Sequence, residues 1–321
     1  MKDMMWAYLI HLGSNMWSDT MAQNPAIPFR AQPVYREELF AEKEIWRKTT
    51  DFIAQCGLNT LLIDIGEGLQ YDSHPELAAK GAWTKAELRA ELDRLRAMGI
   101  TPIPKLNFSA CHDAWLGEYR LMRCTDAYYK VCADVIAEVC ELFGHPQYFH
   151  IGMDEENLKN QINMGVITIR NEKQWWKDFY YLVDQCEKNG ARAWVWSDYY
   201  WDHPDIFVKR MPKTVLQSNW YYASVPQKGE DGLYPNPRVQ AYIDFEKMGY
   251  DQVPTGSCWG YFGNMEQTVK MFAQENIAPE RLKGFMIAPW LFTVEENLYG
   301  LLDNAHRLGL IRRKYGPEFM G

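Results

Sequence analysis

The segment His150-Ile-Gly-Met-Asp154-Glu155-Glu156 is the sharpest chemical signal in this 321-residue chain. An apolar run ends there in three consecutive acids, and like charges held close together raise the pKa of one of them. A carboxyl that keeps its proton near neutral pH is what general acid catalysis requires. The same residues admit a plainer role, in which Asp154 caps a following helix while Glu155 and Glu156 face water. Other short apolar runs also close on polar groups: Asp64 and Glu67, then Lys105, Asn107 and His112, then Asp198 and Tyr199. Three later runs close on Trp220, Trp259 and Trp290. Carboxylates on one side of a mouth and indoles on the other suit a sugar, because rings stack on its apolar faces while carboxylates handle hydroxyls and protons.

Such a mouth needs a scaffold that brings strand ends together. Eight β-like runs recur between helix-like segments, near 5–12, 60–65, 101–106, 147–152, 193–198, 214–220, 253–259 and 284–290. Strands alternating with helices imply parallel pairing, and eight is the number of a (β/α)8 barrel, whose reacting groups stand at the C-terminal strand ends. The intervening helices carry readable boundaries. Thr84 and Glu87 form a capping box, after which Leu88, Leu92, Leu95 and Met98 share a face up to Gly99. Val131, Val135, Val139 and Leu142 mark a helix before Gly144, and Trp176 through Cys186 mark one before Gly190. Residues 223–238 are rich in Gly, Pro and charge, as a surface loop would be. Nothing resembles a linker or a repeat, so the expectation is one α/β barrel spanning residues 1–321, with no second domain.

Composition narrows the function classes. A formal charge of -8 argues against nucleic acid, which is bound by clustered Lys and Arg. No stretch of eighteen apolar residues exists, so no membrane span is expected. Seven Cys without a CxxC pair point to reduced thiols rather than a disulfide framework or zinc site. Reduced thiols fit a cytoplasm, and a removed signal would make the chain periplasmic or secreted. Thirteen Trp and nineteen Tyr are a surplus that a carbohydrate partner would use, although core packing takes most of them. Three function classes remain: a glycoside hydrolase without cofactor, a non-catalytic carbohydrate-binding barrel, and a sugar isomerase or epimerase. The last would place Mg2+ or Mn2+ on Asp64, Glu67, His112, His150 and Asp154.

His150-Ile-Gly-Met-Asp154-Glu155 resembles the His-x-Gly-Gly-Asp-Glu motif of glycoside hydrolase family 20, the β-N-acetylhexosaminidases, with Met153 in place of the second glycine. The stretches from Gly81 to Leu88 and from Gly99 to Pro104, with the later His112, are similar to that family's passage from its second helix to its third strand. The resemblance implies a retaining, exo-acting, substrate-assisted hydrolysis in which the 2-acetamido oxygen of the sugar attacks the anomeric carbon. Glu155 would be the acid/base and Asp154 would orient the acetamido group. Trp220, Trp259 and Trp290 would wall the acetamido pocket, with Tyr261, or failing it Tyr222, completing it. Asn107, His112, His150, Asp198, Tyr199 and Glu295 complete the expected substrate-contacting set, and no metal is expected. Three departures mark a divergent member: strand 1 offers His11 and Asn15 instead of an arginine, Lys105 replaces an acid, and no N-terminal α/β domain precedes the first strand.

Overall fold

The computed structural model describes residues 4–21, 34–162, 164–275, 277, 278 and 280–319. All eight runs become strands: β1 Met5–His11, β2 Thr60–Asp64, β3 Thr101–Lys105, β4 Tyr148–His150, β5 Arg192–Trp196, β6 Leu216–Ser218, β7 Thr255–Gly256 and β8 Gly284–Ile287. They pair in parallel in the order β6-β5-β4-β3-β2-β1-β8-β7. Parallel bridges from Gln217 to Gln252 and from Trp220 to Thr255 bring β6 against β7, so the sheet curls into a nearly closed barrel. The paired segments are shorter than the apolar runs, most of all in β7, where only two residues pair.

Helices fill the crossovers: α1 Lys43–Gln55, α2 Lys85–Ala97, α3 Asp126–Leu142, α4 Glu172–Lys188, α5 Tyr199–Asp202, α6 Pro204–Arg210, α7 Pro237–Met248, α8 Asn264–Gln274 and α9 Leu298–Tyr315. Thr84 and Glu87 cap α2 reciprocally, as their spacing requires. Gly99, Gly144 and Gly190 follow their helices with φ of +80°, +69° and +80°. The loop expected over 223–238 is irregular and largely exposed, except that α7 already begins at Pro237. Among the described residues no helix is long and apolar enough to cross a membrane.

Strand parity sorts the core into two clusters. Trp6, Tyr8, Ile10, Leu61, Ile63, Phe149 and Val195 face the helices, whereas Ala7, Leu9, Leu62, Ile103, Tyr148, Trp194, Leu216, Val253 and Met286 fill the barrel. Because side chains alternate along a strand, the next inward positions are His11, Asp64, Lys105, His150 and Trp196. β1, β2, β3 and β4 thus run from apolar filling into polar groups as they approach their C-terminal ends, which is where a barrel of this kind works.

Candidate active site

The backbone after β4 leaves the extended conformation abruptly. Gly152 and Met153 both have φ +71° and Glu155 has φ +58°, a left-handed run unfavourable for side chains with a Cβ. Asn107 holds this run. Its Oδ1 accepts from the Met153 and Ser109 N–H groups at 3.2 and 3.0 Å, and its Nδ2 donates to Asp154 Oδ1 at 2.8 Å. A Cβ on residue 152 would lie 1.9 Å from Asn107 Oδ1, so glycine is required there by space as well as by φ. The Asp154 carbonyl accepts from Ser109 Oγ, and the Glu155 carbonyl accepts from Cys111 Sγ at 2.9 Å.

Glu156 does not face water. Its carboxylate is buried against Arg170, whose Nε lies 2.9 Å from Oε1, and Arg170 also binds Asp178 at 3.0 Å. Burial would raise the Glu156 carboxyl, yet Arg170 holds it below its ordinary value. Nor does Asp154 cap a helix; it points into the mouth beside His112.

His112 Nε2 stands 3.3 Å from both Asp154 Oδ2 and Glu155 Oε2. Burial disfavours a charged imidazole, but the Asp154 carboxylate and Cys111 together outweigh it and lift His112 well above 6.5. Burial likewise opposes a charged Asp154, and His112, then Lys105 and Asn107, bring it down to about 2. Asp154 is therefore an ionised, nearly enclosed carboxylate, while the neighbouring Glu155 side chain is one-third exposed. Asp198 goes the opposite way: burial, reinforced by the Asp154 charge, pushes it up to about 8.

Beneath these acids, Lys105 is completely buried and donates to Asp64 Oδ2 at 2.5 Å, with His11 Nδ1 3.5 Å from the same oxygen. Burial, with Lys105 nearby, keeps His150 well below its ordinary value, and burial takes His11 down to about 4. His150 packs on Trp194 and Trp196 inside the barrel and is fully buried.

Aromatic rings wall the other side. Trp290, itself at φ +57°, donates Nε1 to Tyr222 Oη at 3.1 Å, and Tyr222 stacks on Trp220 with centroids 4.9 Å apart. Trp196 and Trp17 meet Trp290 at 5.7 and 6.4 Å, and Trp17 reaches His112 at 6.4 Å. The structure therefore brings Asn107, His112, Asp154, Glu155, Asp198, Tyr222, Trp220 and Trp290 to one mouth. Four other expected residues stand elsewhere. Trp259 is 62% exposed and pairs with none of these rings among the described residues. Tyr261 abuts the wall only through its backbone N–H, which donates to the Tyr222 carbonyl at 2.9 Å, while its ring lies over Gly263. Tyr199 stacks on Trp175 of α4 at 4.2 Å, and Glu295 is exposed, its charge felt by Lys48 of α1.

Trp17, Trp196 and Cys111 join the site although their sequence context does not single them out. Trp196 was legible in principle, since it lies two residues before Asp198 on the inward parity of β5. Trp17 comes from the loop after β1 and carries no such signal. Of the five residues considered as metal ligands, His112 and Asp154 stand within ion-pair distance; Asp64 is taken by Lys105, and Glu67 accepts from the Ser14 and Asn15 N–H groups at 2.6 and 3.0 Å. With Glu155, His112 and Asp154 offer ligand atoms within 4.8 Å of one another. As the three groups stand, the His112 imidazole lies between the two carboxylates at ion-pair distance.

A parallel eight-stranded barrel with ionised and protonated carboxyls at the ends of β4 and β5 defines the class to which this chain belongs, the (β/α)8 barrels with a polar C-terminal mouth. Its fold is similar to that of the glycoside hydrolase family 20 enzymes. The β-N-acetylhexosaminidase of Streptomyces coelicolor matches 96% of this chain with a TM-score of 0.62 at 13% identity. The pneumococcal virulence factor StrH matches 97% with a TM-score of 0.61 at 14% identity, covering 85% of that chain. A Streptomyces plicatus β-hexosaminidase variant, solved with its product GlcNAc, matches 98% with a TM-score of 0.59 at 13% identity, covering 68% of that chain. This chain spans 64% of the length of the S. coelicolor enzyme and 51% of that of a Flavobacterium johnsoniae chitobiase. No protein-family model matches the sequence, and no curated protein matches it either.

Proposed function

We propose that the protein is a retaining, exo-acting glycoside hydrolase of the β-N-acetylhexosaminidase type, working by substrate-assisted catalysis. The observation that carries this reading is the unequal treatment of two adjacent acids. Asp154 is enclosed, ionised and oriented by Asn107 and His112, which suits a group that accepts the acetamido N–H and stabilises the positive ring formed when the acetamido oxygen attacks the anomeric carbon. Glu155 is next to it and open to the mouth, as a group that passes a proton to the leaving oxygen and later takes one from water must be. The Trp290, Tyr222 and Trp220 rings offer apolar faces to the sugar and its acetyl methyl. A two-carboxylate mechanism is less well supported, because Glu295 is exposed beside Lys48 of α1 and Asp198 is engaged with the backbone.

The test is a panel of p-nitrophenyl glycosides with and without a 2-acetamido group. Turnover of 2-acetamido substrates with little of their 2-hydroxy counterparts is the expected result. Equal turnover of both overturns the substrate-assisted part, and binding without turnover of any glycoside returns the chain to the carbohydrate-binding class.

A further inference from the structure

We propose that Asp198 is a positioning residue for the acid/base, holding Glu155 in its left-handed pose by accepting its peptide N–H. The geometry is a ladder that changes character. Along the β4 and β5 edge the Ile151 N–H donates to the Trp194 carbonyl at 2.8 Å and the Trp196 N–H donates to the Gly152 carbonyl at 3.1 Å. The left-handed turn at Met153 and Glu155 then carries the β4 backbone out of register. At the next rung the Asp198 side chain takes over, with Oδ2 accepting from the Glu155 N–H at 2.8 Å.

Local structure assigns this side chain no other task. Asp198 precedes α5, where an aspartate ordinarily caps the first turn, yet it makes no capping hydrogen bond. Its Oδ1 is buried without a hydrogen-bond partner, so apart from its own peptide N–H the Glu155 N–H is what its carboxyl engages among the described residues. The charged groups facing it are Asp154 and Glu155, and with burial they keep its proton on. A protonated carboxyl still accepts through its carbonyl oxygen, and asparagine is its closest mimic in shape and charge.

This inference rests on the reading of Glu155 as acid/base, and it deepens that reading. Asp198→Ala and Asp198→Asn are compared with the parent in two ways. In crystal structures Asp198→Ala is expected to release the Glu155 backbone from positive φ and shift its carboxylate, whereas Asp198→Asn keeps both. In kinetics Asp198→Ala is expected to lose on the order of 10²-fold in kcat toward poor leaving groups, with KM little changed and activated aryl glycosides spared, because proton donation is what is misplaced. Asp198→Asn recovers the greater part of that loss. An unmoved Glu155 in Asp198→Ala, or a loss in Asp198→Asn as large as in Asp198→Ala, overturns the proposal. If Asp198→Ala does not fold, Asp198→Asn alone decides, since displacement of Glu155 in that variant is equally fatal. A parent that hydrolyses no glycoside overturns the proposed function, while the crystallographic comparison still decides the role of Asp198.

Discussion

Asp154 and Asp198 carry opposite proton loads within one mouth because each has different neighbours, and substitution of these two and of Glu155 between them should have different signatures. Glu155→Gln is expected to lower kcat on substrates with poor leaving groups by roughly 10²-fold or more, the scale of general acid catalysis, while activated aryl glycosides suffer less. Asp154→Asn should harm all leaving groups alike, since it acts on the acetamido group; a leaving-group series on both variants checks this, and identical slopes would count against the assignment. Asp198 is expected to show itself in stability. Its folded value of about 8 exceeds the ordinary 3.8, so its contribution is complete at low pH and is lost as pH rises toward 8. Thermal melts of Asp198→Asn should therefore gain on the parent between about pH 4 and about pH 8, with His112 titrating in both proteins and cancelling. The paired acids were legible in the sequence because three carboxylates ending an apolar run have few reasons to be there. The burial of Glu156 was not, because the left-handed turn that swings it onto Arg170 and turns the Glu155 N–H toward Asp198 leaves no periodicity to read.

The elements were legible to the extent that they depend on local pattern. The α2 capping box and the glycines after α2, α3 and α4 stand where composition puts them, since those signals act within a few residues. The run 253–259 shows the limit: seven residues read as strand, yet only Thr255 and Gly256 pair, because the next residues are drawn into a turn clamped by the Asn264 side chain on Ser257. That turn lifts Trp259 out to solvent, away from the wall it was expected to join. The connection after β4 is the element on which the site depends most. Gly152→Ala is expected to destabilise the fold by more than about 2 kcal/mol, since it adds left-handed strain to a clash with the Asn107 amide. Denaturant unfolding measures the loss. An Asn107→Ala background should remove part of it, because the clash partner is then gone, and an unchanged penalty in that background would refute the steric explanation.

At the scale of the whole molecule, the barrel is shared with solved structures at only 13–14% identity. Strand count and parity alone made this architecture legible. They could not foretell that Lys105, on β3, would be buried against Asp64 of β2, a cross-strand pairing set by register. Lys105→Met should cost about 3–5 kcal/mol by stranding the Asp64 charge, and the double variant Asp64→Asn/Lys105→Met should recover most of it, as measured by urea unfolding. The seven cysteines are all free, and they are distributed unevenly through this architecture. Cys132, Cys140 and Cys186 lie among the packed faces of α3 and α4, whereas Cys111 is sealed only by the short loops whose carbonyls it touches behind Glu155. The protein thus carries its own chemical stopwatch. Under native conditions a thiol-trapping reagent should modify Cys111 at the frequency with which the loops behind Glu155 part, and the three helical thiols only when the barrel itself unfolds, so mass spectrometry of the two rates separates breathing of the mouth from loss of the fold.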